Sequence, residues 1–161
     1  MSLINISAEV RNALAAGKPV LALESTILAH GMPWPENLSF ARKAEDLVRS
    51  TGVVPATIAV FDGCIRVGLN EDQMEALCHQ EHFVKAGVRD LATVIARNQS
   101  AATTVSATLR IAHLAGIPVF STGGIGGVHR DVNDSFDISQ DLTELSRTSG
   151  IVVSAGAKAI L

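Results

Sequence analysis

Residues 118 to 141 read PVFSTGGIGGVHRDVNDSFDISQD, and here an apolar run passes into glycines, a histidine and several acids. Val119 and Phe120 are typical of the end of a buried strand, and glycines at 123, 124, 126 and 127 allow close backbone approach. The N–H groups of such a loop can bind an anion. The stretch fits neither G-x-G-x-x-G, because His129 stands at the third glycine position, nor the P-loop. Taken alone, it is also consistent with a flexible turn between a strand and a helix.

Apolar runs of strand length alternate with helical patterns along the rest of the chain. The patterns predict strands at residues 19–23, 53–61, 64–67 and 151–154. They predict helices at residues 7–16, 36–50, 71–78, 89–96, 105–114 and 139–145. Residues 30–35 contain two prolines and are predicted to form a loop. This order predicts one α/β domain over residues 1–161, a mostly parallel sheet with helices on both faces.

The composition is unusually apolar for a soluble domain. Hydrophobic residues make up 47% of the chain and charged residues 18%, against about 25% charged in an ordinary domain. We therefore expect part of the surface to be covered by another chain or by a missing part of the same domain. The net charge of −3 and the 4% aromatic content disfavour polymeric nucleic acid as a partner.

No apolar run is long enough to span a bilayer, and the first residues lack a signal-peptide pattern. A cytoplasmic protein without a membrane partner is therefore expected. Cys64 and Cys78 are too few and too far apart for a disulfide framework or a metal knuckle, so we expect reduced thiols.

Three segments carry polar residues at positions that suggest chemistry. Glu24 follows an apolar run directly, where ligands of parallel sheets bind, although it could equally cap a turn. Lys85 is predicted on a loop that enters a helix. Thr103 and Thr104 begin a helix that could bind an anion or could simply be capped by a threonine. The cluster His79, Glu81 and His82 is more consistent with an exposed helix end than with a metal site.

Several segments together resemble the pseudouridine-5′-phosphate glycosidases, an indigoidine synthase A-like family. The segments are LALESTILAHGMPWPEN, VPATIAVFDG, RDLATV, ATTVSAT, STGGIGGVHR, FDISQDL and SAGAKAIL, in the order of the family. The resemblance runs from about Lys18 to the end. It implies a C-glycosidase that reversibly converts pseudouridine 5′-phosphate to uracil and ribose 5-phosphate through a lysine imine with the opened ribose. It also implies a homotrimer.

The resemblance assigns roles to individual residues. Lys158 in GAK matches the nucleophile, and Glu24 in LEST matches the proton donor and acceptor. Asp137 in FDIS matches the ligand of one divalent cation per subunit, Mn²⁺ with Mg²⁺ as the alternative. The matching substrate contacts are Lys85, Thr104, Val105, His129, Ser139, Gln140 and Asp141. Val88 stands where the family commonly has an arginine, which removes one possible phosphate contact.

Family members continue well past the GAK segment, so the chain is expected to match only the N-terminal part of the family's length. The alternative to a working enzyme is therefore a truncated, catalytically silent subunit or relic that at most binds sugar phosphate. A weaker alternative is another imine-forming lyase or aldolase.

Overall fold

The computed structural model describes residues 3–79, 82–127, 134 and 138–158. The strands in these residues are β1 (Ile4–Ile6), β2 (Val20–Leu23), β3 (Val54–Phe61), β4 (Cys64–Val67), β5 (Val84–Ala86), β6 (Ala101–Thr103), β7 (Val119–Thr122) and β8 (Ile151–Ser154). The helices are α1 (Ala8–Ala15), α2 (Glu36–Ser50), α3 (Glu71–His79), α4 (Leu91–Ala96), α5 (Val105–Leu114) and α6 (Asp141–Leu145). A π-helical turn covers Ile27–Gly31.

The strands form one mostly parallel sheet in the order β1, β4, β3, β2, β7, β8. Strand β2 pairs in parallel with β3 and β7, and β7 pairs in parallel with β8. The second half of β3 pairs antiparallel with β4 and with β6, which in turn pairs in parallel with β5. The predicted α/β fold with a mostly parallel sheet is confirmed.

Each face of the sheet carries its own apolar core. Helices α1 and α5 cover one face, where Val10, Ile111 and Phe120 are buried. Helices α2 and α3 pack on the other face around Leu38 and Leu77. This layering is the one that the alternating patterns predict. Within the described residues, no helix combines the length and apolar character that crossing a bilayer requires.

Three short strands and one helical turn depart from the sequence-based expectations. Strands β1, β5 and β6 have three residues each, too few for an alternating pattern to be recognised. Lys85 consequently lies in the middle of β5 and not on a loop. His30 and Gly31 end a π-helical turn, so the predicted loop at residues 30–35 begins later than expected.

The carboxyl ends of β2 and β6 meet beside β3. The N–H of Thr103 donates to Oγ of Ser25 at 2.8 Å, and the hydroxyl of Thr103 donates to the carbonyl of Ile58 at 2.7 Å. The N–H of Ser25 donates to the carbonyl of Thr103 at 3.3 Å. Because these groups are buried and satisfied, the junction is fixed. It brings the residues after β2, β5, β6 and β7 to one place.

Candidate active site

A cleft of about 300 Å³ opens where these four strands end. Ligands of parallel α/β sheets bind at this edge, because loops and helix N-termini converge there. The residues that line the cleft are Glu24, Thr26, Lys85, Gly87, Arg89, Asp90, Thr104, Val105, Ser106, Gly126, Ile138, Ser139, Gln140, Asp141 and Lys158.

Glu24 leaves the end of β2 and is held by a hydroxyl from the neighbouring strand. The side chain of Thr122, the last residue of β7, donates a hydrogen bond to Oε1 of Glu24. Burial raises the pKa of the Glu24 carboxyl above its ordinary value, while the Thr122 hydroxyl and the charges of Lys158 and Lys85 oppose that rise. A carboxyl balanced in this way is suited to both donating and accepting a proton.

Lys158 reaches the cleft from the segment that follows β8. Its backbone N–H donates to the carbonyl of Ile125 at 2.8 Å, and the backbone N–H of Ile125 donates to the carbonyl of Gly156 at 3.1 Å. The glycine-rich loop makes room for the lysine side chain, since a Cβ at Gly124 would lie 2.9 Å from Cε of Lys158. From the sequence, the glycine-rich loop could be an anion-binding loop or a flexible turn. In the structure, one of its glycines, Gly124, leaves room for the side chain of Lys158.

Cationic groups occupy the side of the cleft formed by β5 and the loop after it. Lys85 and Arg89 are both exposed and line the cleft. The N–H of Arg89 donates to Oε1 of Gln140 at 3.0 Å, which joins this loop to the residues before α6. The N–H of Val88 donates to Oγ of Ser106 at 3.2 Å. One strand, β5, and the loop after it therefore present positive charge to a ligand.

Asp141 is buried, with 5% of its surface exposed, and links α5 to the glycine-rich loop. Its Oδ1 accepts from the N–H of Ser106 at 3.1 Å, and its Oδ2 accepts from the N–H of Gly126 at 3.1 Å. A carboxylate is therefore already placed at the start of α5, where the sequence suggests an anion site. Thr104 is the N-cap residue of α5 by backbone position, although its side chain makes no capping hydrogen bond.

Comparisons with known proteins place the chain in a family. The model of the family described as indigoidine synthase A like protein matches residues 9–161. The chain belongs to this family. Within it, the chain is similar to curated proteins named pseudouridine-5′-phosphate glycosidase. It is 54% identical over 160 residues to the one of Dinoroseobacter shibae and 56% identical over 158 residues to the one of Caldanaerobacter subterraneus. These alignments cover 99% and 98% of this chain but 52% of each relative.

Two solved structures share the fold. One is the prealnumycin C-glycosynthase AlnA in complex with ribulose 5-phosphate, with 41% identity and a TM-score of 0.87 over all of this chain and 52% of that one. The other is the indigoidine synthase A-like protein of Thermotoga maritima, with 39% identity and a TM-score of 0.85 over 98% of this chain and 51% of that one. The chain thus spans about half the length of the relatives and solved structures that it matches.

The structure brings most of the predicted site residues of this family member together. Those that line the cleft are Glu24, Lys85, Thr104, Val105, Ser139, Gln140, Asp141 and Lys158. His129 and Asp137 lie outside the described residues, so their predicted roles stay predictions. The described ranges contain no group of three or more His, Cys, Asp or Glu side chains that could hold a metal ion. His79 instead packs edge-on against Trp34, and His82 stacks on Phe83.

Sequence reasoning missed three residues at the cleft. Thr122 donates to Glu24, Arg89 adds a cation, and the buried hydroxyl of Thr26 has no hydrogen-bond partner among the described residues. Thr122 and Thr26 could have been found by the rule that selects Glu24, because each lies at or just after the carboxyl end of a strand.

Proposed function

We propose that this chain provides the active site of a C-glycosidase that acts on pseudouridine 5′-phosphate. The observation that carries the proposal is that Glu24 and Lys158 line one cleft, with Lys85 and Arg89 beside them. The names of the curated relatives support the substrate. The complex of AlnA with ribulose 5-phosphate supports a sugar phosphate as the ligand class.

The substrate requires chemistry that ordinary glycosidases do not use. Its ribose C1′ is joined to C5 of uracil, so no leaving oxygen is available for protonation. In the proposed reaction, the free amine of Lys158 adds to C1′ while the bond from C1′ to the ring oxygen breaks. The ring oxygen takes a proton from Glu24, whose raised pKa favours the protonated form. Glu24 then accepts the proton that the new C–N bond releases.

Cleavage of the carbon–carbon bond follows from the opened adduct. The nitrogen lone pair forms the imine with C1′ as the C1′–C5 bond breaks, and C5 of uracil receives a proton from Glu24. Water hydrolyses the imine, which restores the amine of Lys158 and releases ribose 5-phosphate. One lysine, Lys158, and one carboxylic acid, Glu24, therefore carry out every bond change and proton transfer of the cleavage. The same steps in reverse form the C-glycoside.

The phosphate is assigned to the cationic side of the cleft. Lys85 and Arg89 supply the charge that a dianion needs, and both are placed by fixed backbone, on β5 and on the loop bonded to Gln140. Val105, Thr104 and Ser139 are proposed to contact the sugar. Asp141, whose oxygens accept two backbone N–H bonds, would act on the substrate while holding the start of α5.

A divalent cation is proposed at Asp137, with Mn²⁺ first and Mg²⁺ second. A carboxylate is a hard oxygen ligand that suits both ions. Among the described residues, no group of three or more His, Cys, Asp or Glu side chains could hold a metal ion. The homotrimer stays a prediction of the family resemblance, and the cytoplasmic location stays a prediction from the sequence.

The direct test measures uracil release from pseudouridine 5′-phosphate with Mn²⁺, by this chain co-produced with the part of the Dinoroseobacter shibae relative that it does not match. The proposal expects turnover that Lys158→Ala abolishes and Glu24→Gln reduces by about 10²–10⁴. No uracil from purified, folded protein would instead support the alternative, a catalytically silent subunit, and ribose 5-phosphate binding by calorimetry would then show whether the sugar phosphate site survives. Dependence on Mn²⁺ that persists in Asp137→Ala would reassign the metal ligand.

A further inference from the structure

Thr26 lines the candidate active site, and its buried hydroxyl has no hydrogen-bond partner among the described residues. Other hydroxyls at these strand ends are satisfied. That of Thr122 donates to Glu24, and that of Thr104 shares a hydrogen bond of 3.1 Å with Ser106. A buried hydroxyl without a partner costs free energy, and native structures seldom leave one so. Because Thr26 lines a cleft, a ligand can supply the partner.

The hydroxyl is not needed to cap the helical turn that follows it. Thr26 is the N-cap residue of the turn Ile27–Gly31, but its side chain makes no capping hydrogen bond. A capping hydroxyl accepts from the N–H of the second or third residue of the turn, and these are Leu28 and Ala29. Both N–H groups donate to the carbonyl of Ser25, at 3.0 and 3.1 Å. Capping therefore does not account for the hydroxyl of Thr26.

Thr26 lies where two pairs of strands meet. Glu24 belongs to the pair β2 and β7, since it follows β2 and accepts a hydrogen bond from the end of β7. Lys85 belongs to the pair β5 and β6. Ser25 joins the two pairs, because its Oγ accepts from the N–H of Thr103 at the end of β6. Thr26 follows directly and is thus placed between Glu24 and Lys85 along the cleft.

The proposed function decides which part of the substrate lies at this place, and the inference rests on it. Carbon 1 of the sugar is assigned to Lys158 and Glu24. The 5-phosphate is assigned to Lys85 and Arg89. The carbons between these two ends carry the 2- and 3-hydroxyls, whereas the ring oxygen is already assigned to Glu24. We propose that the hydroxyl of Thr26 binds this vicinal diol, at the 2- or the 3-hydroxyl, and makes the site select ribose 5-phosphate over its deoxy analogues.

The chemistry of the two partners supports this selection. A threonine hydroxyl both donates and accepts, as a sugar hydroxyl does. A site that bonds a substrate hydroxyl rejects the analogue that lacks it, because the protein group then stays buried without a partner. The hydroxyl of Thr26 is already withdrawn from water in the protein without ligand. The bonded sugar therefore gains a hydrogen bond that the deoxy sugar cannot replace.

The test is calorimetric binding to this chain co-produced with the part of the Dinoroseobacter shibae relative that it does not match. The ligands are ribose 5-phosphate, its 2-deoxy and 3-deoxy analogues, and inorganic phosphate. Wild-type protein should bind ribose 5-phosphate about 10-fold more tightly than the analogue that lacks the bonded hydroxyl. Thr26→Val should bring these two affinities within about 2-fold of each other, whereas Thr26→Ser keeps the hydroxyl and should keep the preference. Inorganic phosphate should bind the wild type and Thr26→Val equally.

Thermal unfolding of the protein without ligand gives a second readout. Valine has nearly the shape of threonine, and the change removes a buried hydroxyl that lacks a partner. The unfolding midpoint of Thr26→Val should therefore equal or exceed that of the wild type. A lower midpoint in Thr26→Val would mean that the hydroxyl is bonded within the protein, which overturns the proposal.

Three binding results would also overturn it. The first is wild-type protein that does not prefer ribose 5-phosphate to either deoxy analogue. The second is a preference that Thr26→Val leaves unchanged. The third is an equal loss of affinity for inorganic phosphate in Thr26→Val, since Thr26 would then bind the phosphate.

Uracil release separates these outcomes from failure of the proposed function. Wild-type protein that releases no uracil, but shows the preference that depends on Thr26, would keep the inference and reject the activity. Uracil release together with a preference that does not depend on Thr26 would keep the activity and reject the inference.

Discussion

The hydroxyl of Thr122 donates a hydrogen bond to the carboxylate of Glu24, although the two residues are 98 positions apart in the chain. Glu24 follows β2 and Thr122 ends β7, and these two strands are parallel neighbours. Burial raises the pKa of the Glu24 carboxyl, and the hydrogen bond opposes that rise because it favours the charged form. Thr122 therefore helps to set how readily Glu24 gives and takes a proton.

Replacement of Thr122 by valine removes the hydroxyl and nearly keeps the shape. We expect the pKa of Glu24 to rise further in Thr122→Val, because the charged form loses its donor. Carboxyl-carbon NMR titration measures this without turnover, and Glu24→Gln identifies the resonance. Thr122→Ser keeps a donor and should titrate like the wild type. Uracil release should fall on the order of 10-fold in the valine variant. Identical titrations in the valine and serine variants would show that the bond does not act on Glu24.

Glu24→Gln should stabilise the fold while it slows the reaction. A carboxyl whose folded-state pKa is raised contributes stability below its unfolded pKa and loses that contribution as the pH rises through the folded-state value. The ordinary value is 4.5, so the variant should gain stability over the wild type as the pH rises from about 4.5. Urea unfolding at pH 4 and pH 8 measures the difference. A variant that is less stable than the wild type at pH 8 would contradict the account.

Glu24 could be predicted from the sequence because a carboxylate directly follows a buried run, a purely local signal. Its partner Thr122 could not, since that contact depends on β7 being the neighbour of β2. Local patterns predict which segments are strands but not their order in the sheet. A different limit hid β5 and β6: their segments VKA and AAT have three residues each, too few to show a strand pattern.

Gly124→Ala tests whether the glycine-rich loop makes room for the lysine. The new Cβ would lie 2.9 Å from Cε and 3.2 Å from Cγ of Lys158, so the flexible side chain must move. We expect a change in unfolding free energy below about 1 kcal/mol and a clear loss of imine formation. Gly123→Ala is the matched control, because its Cβ would meet no atom within 4 Å. Equal imine yields in the two variants would show that Lys158 does not depend on the space at Gly124.

Asp141→Asn should cost more stability than the same change at Asp90. The amide of an asparagine at position 141 would turn a donor toward the N–H of Ser106 or Gly126, and the site is buried. A loss of about 1–3 kcal/mol is expected. Asp90 accepts from the N–H of Gly87 at 2.8 Å but is exposed, so water can replace the bond. Urea unfolding compares the two variants, and equal losses would argue against Asp141 as the link between α5 and the loop.

The role of Asp141 shows a second limit of sequence reasoning. Its place in FDISQDL marks it as a site residue, and the cleft does include it. The sequence does not reveal that both of its oxygens are bonded to backbone groups from two distant segments. Likewise, the glycines at 123 and 124 look equivalent in the sequence, and only the position of Lys158 distinguishes them.

The central claim is that Lys158 forms the covalent imine, and borohydride trapping with ribose 5-phosphate tests it most directly. The amine and the sugar aldehyde lose water to form the imine, and hydride reduces it to a stable secondary amine that peptide mass mapping can locate. The assay uses this chain co-produced with the unmatched part of the Dinoroseobacter shibae relative, with the chain alone for comparison. The account predicts a dominant adduct on Lys158 in the co-produced sample, little in the chain alone, and none in Lys158→Ala. An adduct on Lys85, or no adduct on Lys158 in the co-produced sample, would contradict it.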